Sequence, residues 1–137
     1  MARPCRVLVV EDNGDVRELL RDVFDWEGYR FETAEDGDAM RRALAGGDVD
    51  VVVIDVHLRG GRGGESALDL AGAAAEAGCA VVLTTGDPQQ IPRIEASGRR
   101  YIRKPYRLEA LIDTVEAALD EARARCETKR RRRRRFA

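Results

Sequence analysis

Two hydrophobic rhythms alternate along the chain. Residues 7–10 form an unbroken apolar run, after which Val16, Leu19, Leu20, Val23 and Phe24 recur at the three-and-four spacing of one helix face. Asp12 or Asn13 stands where a helix N-cap belongs, and Gly28 where the helix should stop. Residues 29–34 alternate apolar and polar, the pattern of a half-covered strand. A short helix through Met40, Ala43 and Leu44 follows and ends at Gly46 and Gly47. Residues 49–54 are apolar enough for a buried strand, closed by Asp55. A loop containing Gly60, Gly61, Gly63 and Gly64 leads to an alanine-rich helix over about residues 65–77, and residues 80–83 give the next strand. Ile91 and Ile94 keep helical spacing, but Pro88 and Pro92 interrupt it, which predicts a stunted or irregular fourth helix. Tyr101 and Ile102 mark a short fifth strand. Leu108, Leu111, Ile112, Val115, Ala118, Leu119 and Ala122 make a strong final helix.

Five strands alternating with five helices call for a parallel sheet covered on both faces. The first, third and fourth strands are apolar throughout, as interior parallel strands are, whereas the second alternates and the fifth is short, as edges are. With right-handed crossovers the order becomes 2-1-3-4-5, the flavodoxin-like doubly wound α/β arrangement. Its functional crevice lies where the winding reverses, at the C-terminal ends of the first and third strands.

Composition narrows the class. At 137 residues, 44% hydrophobic, the chain fits one compact domain that needs neither disulfide nor structural metal. Cys5, Cys79 and Cys126 are odd in number and widely spaced, which points to a reducing, cytoplasmic setting. No apolar run approaches the roughly 18 residues of a membrane span, and no signal-peptide core precedes the first strand. Secreted, membrane-inserted and fibrous classes are excluded on these grounds.

The formal charge of −1 hides a division. Lys129 and the arginines at 130–135 hold seven of the 24 basic side chains, leaving 17 against 25 acidic residues, or −8, for residues 1–128. The expected organisation is a folded domain over residues 1–125 and a basic, disordered tail over 126–137. Such a tail is ordinarily solvated. Nucleic-acid phosphates, anionic lipid or the acidic body of another copy are its alternatives, and with Phe136 the only nearby aromatic, sequence-specific nucleic-acid binding is not expected.

The strand ends carry the chemistry. Glu11 and Asp12 follow the first strand and Asp55 the third, so three carboxylates converge on one crevice. Like charges so close raise one another's pKa or require a counter-cation, and hard oxygen ligands with room for water suit Mg²⁺. Thr84-Thr85-Gly86 ends the fourth strand and Lys104-Pro105 follows the fifth, placing a hydroxyl and a cation at the same crevice. A carboxylate is a competent phosphoryl acceptor, and such transfers depend mainly on positioning and charge neutralisation.

This set, in this order, resembles the receiver domain of two-component response regulators over about residues 5–122. The resemblance implies that Asp55 is the phospho-acceptor, and that Glu11, Asp12, Asp55 and the backbone carbonyl of His57 hold Mg²⁺. It further implies that Thr85 is the switch hydroxyl, Lys104 binds the phosphoryl group, and Tyr101 is the aromatic whose rotamer follows phosphorylation. A sensor histidine kinase or histidine phosphotransfer protein is the implied donor, and the output would pass to a protein partner of unknown identity rather than through catalysis. Arg59 stands where the family usually has proline, and the stretch between Thr85 and Lys104 is about three residues short. Two other receiver readings stay open: a binding module that is not phosphorylated, and the receiver part of a larger hybrid kinase. A phosphatase of the haloacid dehalogenase type needs a second Asp where this chain has His57.

Overall fold

The computed structural model describes residues 4–58 and 66–136; the glycine-rich loop and the departure at Arg59 lie outside the described residues. Five strands, β1 (Arg6–Val10), β2 (Arg30–Ala34), β3 (Val51–Asp55), β4 (Ala80–Thr85) and β5 (Arg100–Arg103), form one parallel sheet in the order β2-β1-β3-β4-β5. The helices are α1 (Gly14–Trp26), α2 (Gly37–Ala45), α3 (Ala67–Glu76), α4 (Ile91–Ser97) and α5 (Leu108–Phe136).

Strand alternation divides the core in two. Leu8, Val10, Val52, Ile54 and Leu83 pack on one side with Met40 of α2, Leu70 of α3 and Ile94 of α4. Val7, Val9, Val51, Val53 and Val82 pack on the other with Leu20 and Phe24 of α1 and Leu111, Ile112 and Val115 of α5. The three central strands are buried almost throughout, while β2 carries exposed and half-buried positions, as its place at the edge requires. Phe24 anchors the second layer with an edge-on contact to Tyr29, centroids 5.4 Å apart, and a stacked one to Phe31 at 5.9 Å.

The fourth helix is short, as its two prolines imply. A 3-10 turn over Pro88–Gln90 leads into the seven residues of α4, and Gly98 ends them at φ 74°, a left-handed geometry that glycine accepts without strain. Both prolines stand in first turns, where no backbone N–H has an intrahelical partner, so they limit the helix without breaking it. Ile94 is the one α4 residue buried in the core.

The expected tail over 126–137 begins as a continuation of the last helix. α5 continues as one helix of 29 residues, about 44 Å long, to Phe136. No Gly or Pro follows Pro105 to interrupt it, arginine is a good helix former, and lengthening an existing helix avoids the cost of a new nucleus. Arg133, Arg134 and Arg135 in the last turn also oppose the negative end of the helix dipole.

Candidate functional site

The winding reverses between β1 and β3, and the expected side chains meet there. Asp55 is the last residue of β3, paired in register with Thr84 of β4, and Glu11 follows β1, its N–H donating to the Ala34 carbonyl at 3.0 Å. Each is 5% exposed. Asp12 is exposed at the rim, and the three residues each offer a carboxylate oxygen within 4.8 Å of the others. Asp12 is not the α1 cap. The Asn13 side chain takes that role, accepting from the N–H groups of Asp15 at 2.9 Å and Val16 at 3.2 Å, which leaves Asp12 with the cluster.

Lys104, just past β5, supplies the opposite charge. Its Nζ lies 3.2 Å from Asp55 Oδ2 and 3.7 Å from Glu11 Oε2. Its backbone N–H donates to the Thr85 carbonyl at 2.7 Å, extending the β4–β5 ladder to the residue that carries the cation. The Lys104–Pro105 peptide is cis. The other Asp55 oxygen, Oδ1, accepts the His57 N–H at 3.0 Å, while the His57 side chain itself is exposed.

The two buried carboxylates diverge electrostatically. Burial, the hydrogen bond shared with Asp55 and repulsion from it raise Glu11 to a pKa of about 7, against the pull of Lys104. Burial opposes ionisation of Asp55 as well, but hydrogen bonds from Glu11 and the His57 N–H, together with Lys104, hold it below the ordinary carboxylate value. Below about pH 7 the pair therefore keeps its one proton on Glu11, with Asp55 the ionised partner. An ionised carboxylate beside an ammonium, with two further carboxylates in reach, can act as a nucleophile toward an electrophile brought in with a cation. The donor set consists of hard carboxylate oxygens, the chemistry Mg²⁺ prefers.

Thr85 and Tyr101 lie apart from this cluster. Thr85, 1% exposed, shares by alternation the face of Val81 and Leu83, where Tyr101 packs. Its Oγ1 donates to the Asp87 carbonyl at 3.3 Å and accepts the Asp87 N–H at 3.2 Å. The Tyr101 hydroxyl donates to Glu95 of α4 at 2.8 Å, which ties the ring to that helix.

Three participants were not legible in the sequence. Arg17 reaches back from α1 to donate to the Glu11 carbonyl at 2.8 Å. Glu95 holds Tyr101. Tyr106, its pKa raised by burial and then by Glu11 and Asp55, lines an apolar groove of about 500 Å³ with Val16, Leu19, Leu20, Pro105 and Leu108. The period of α1 marks Leu19 as core, but it is 52% exposed at this groove.

Comparison with known proteins agrees with this geometry. Residues 7–116 match the response regulator receiver domain family. Response regulator MprA of Mycobacterium sp. (strain KMS) is 33% identical over 118 residues, 85% of this chain and 51% of that protein. Aerobic respiration control protein ArcA of Escherichia coli (strain K12) is 32% identical over 103 residues, 73% of this chain and 42% of that protein. The chain thus spans about half the length of these relatives. Among solved structures, the receiver domain of the TMAO respiratory system response regulator TorR superposes with a TM-score of 0.74 at 28% identity, covering 87% of this chain and 99% of that one.

Proposed function

Since the chain belongs to the response regulator receiver domain family of two-component systems, we propose that it is a working receiver in which Asp55 accepts a phosphoryl group from a phosphohistidine. The donor would be a sensor histidine kinase or a histidine phosphotransfer protein in the cytoplasm. An Asp55 carboxylate oxygen attacks phosphorus, the P–O bond forms as the P–N bond breaks, and the electron pair leaves with the donor imidazole. The product is an aspartyl phosphate.

Each part of the site has a task in that step. Lys104 holds Asp55 in place beforehand and then neutralises the phosphoryl oxygens. The His57 N–H orients the second Asp55 oxygen. Glu11, Asp12 and Asp55, with the His57 carbonyl, would hold Mg²⁺, which supplies charge neutralisation for the phosphoryl oxygens when bound. The Leu19–Tyr106 groove beside the site offers the donor an apolar surface.

The added group carries roughly −1.5 to −2 charges. It offers Thr85 Oγ1 a stronger acceptor than the Asp87 carbonyl, and the space Thr85 leaves is open to the Tyr101 ring once Glu95 releases it. The outcome is a shift between two conformations of the β4–α4 region, read by a protein partner. The chain acts as a signalling receiver that assists its own phosphorylation and dephosphorylation, not as an enzyme on other substrates.

The contact of Lys104 with Asp55 beside the three-carboxylate cluster carries this reading. Acetyl phosphate with Mg²⁺ tests it: intact mass should rise by one phosphoryl group, and Asp55→Asn should abolish the gain. An unchanged wild-type mass would overturn the reading.

A further inference from the structure

We propose that the last turns of α5 bind double-stranded DNA through its phosphates, without reading its sequence. The proposal is independent of phosphoryl acceptance at Asp55. Lys129 and the six arginines at 130–135 follow one another without interruption, and α5 carries them as helix to Phe136. Successive helix residues are about 100° apart, so the five from Arg131 to Arg135 already surround the axis with positive charge. Arg131, Arg132, Arg133, Arg134 and Arg135 are all exposed.

The helix also holds this charge away from the acidic body. Among the described residues, Ala122 is the last apolar one of α5 packed against the core. At 1.5 Å per residue, Lys129 stands about 10 Å beyond it and Arg135 about 20 Å. Those distances exceed the Debye length of roughly 8 Å at physiological salt, so the charge of −9 on residues 1–122, with 15 basic against 24 acidic side chains, is largely screened from the basic turns. Because α5 is one continuous helix, these turns cannot fold back onto their own domain without breaking it.

The all-round distribution selects the partner. An anionic membrane attracts polybasic segments, but it is flat, and a run of seven cations has no apolar face to insert into it. A flat acidic surface, including that of a second copy, would meet only half of the ring. The major groove of B-form DNA is about 12 Å wide, admits a helix, and has phosphates on both walls, whereas the corresponding groove of A-form RNA is too narrow. Arginine can pair with guanine edges, but a run of near-identical side chains presents no ordered pattern of donors and acceptors to match a base sequence, so binding should rest on phosphates and be sequence-independent, with Kd in the range of roughly 10⁻⁴ to 10⁻⁶ M at physiological salt.

The test is fluorescence anisotropy of the full chain with two unrelated duplexes of about 20 bp, from 50 to 200 mM NaCl. Both should bind equally, with a slope of log K against log salt no steeper than about −6 for seven cations. R132Q/R133Q/R134Q/R135Q should reduce that slope by roughly 3 to 4 and weaken binding at 50 mM at least tenfold, with melting temperature and helical circular dichroism unchanged. No binding at 50 mM salt, or equal binding by the variant, would overturn the proposal. So would tighter binding to phosphatidylglycerol vesicles than to DNA, or a tenfold preference for one duplex. Sedimentation covers the remaining alternative: a salt-sensitive dimer lost in the variant, with no retention of DNA, would assign the basic turns to a second copy instead.

Discussion

Glu11 and Asp55 bring carboxylate oxygens within 4.8 Å of each other yet titrate in opposite directions: burial and the neighbouring Asp55 raise Glu11 to a pKa of about 7, while Glu11, the His57 N–H and Lys104 outweigh burial and hold Asp55 below its ordinary value. A cation bound between them must displace the proton on Glu11. Mg²⁺ affinity should therefore rise with pH by up to about tenfold per unit below pH 7 and level off above it. Calorimetric titration at pH 6, 7 and 8.5 measures this, and a flat profile would contradict a proton held on Glu11. The metal-free protein should show the complementary trend. Glu11 titrates higher in the fold than its ordinary 4.5, so the native state holds more protons between those values and stability falls as pH rises through 7. Asp55, shifted down, contributes fully above its ordinary 3.8 and stays constant over this range. Glu11→Gln should flatten the decline in melting temperature between pH 5 and 8.

Substitution at Leu19 should separate the proposed donor recognition from the proposed phosphoryl chemistry. It is half exposed in the groove with Tyr106, so Leu19→Asp should leave melting within about 2 °C, since surface changes of this kind fall within roughly 0.5 kcal/mol. Uptake from acetyl phosphate should be unchanged, because that donor needs no protein contact. Transfer from a phosphorylated histidine kinase or phosphotransfer protein should slow about tenfold, the effect of losing roughly 1.4 kcal/mol of contact. Equal slowing with both donors would place the effect at Asp55 rather than in the groove.

Phe24 and Trp26 are two positions apart on α1 with opposite roles. Phe24 is fully buried against Tyr29 and Phe31, whereas Trp26 is 89% exposed. Urea denaturation of Phe24→Ala should show a loss of about 3 to 5 kcal/mol. Trp26→Ala should stay within about 0.5 kcal/mol. A comparable loss for Trp26→Ala would mean that the side chain packs against something the single chain does not present.

Sheet order, the two-sided core and the convergence of Glu11, Asp12, Asp55 and Lys104 were all legible in the sequence. The reason is that they follow from period and order: alternation assigns each strand residue a face, apolar runs mark interior strands, and a doubly wound sheet brings the ends of β1 and β3 together wherever the exact boundaries fall. The brevity of α4 was legible for the same reason, because proline limits a helix locally.

What tertiary structure decided is which of several nearby partners each polar group takes. Asn13 rather than Asp12 caps α1, Thr85 bonds Asp87, Tyr101 meets Glu95, and Arg17 turns back to the Glu11 carbonyl. These choices depend on ångström-scale backbone placement set by packing, which no residue pattern encodes. The basic end of α5 belongs with them: a run of like charges reads as a solvated coil, but attached to a helix already nucleated by Leu111, Ile112 and Val115 on the sheet, each added residue only propagates it.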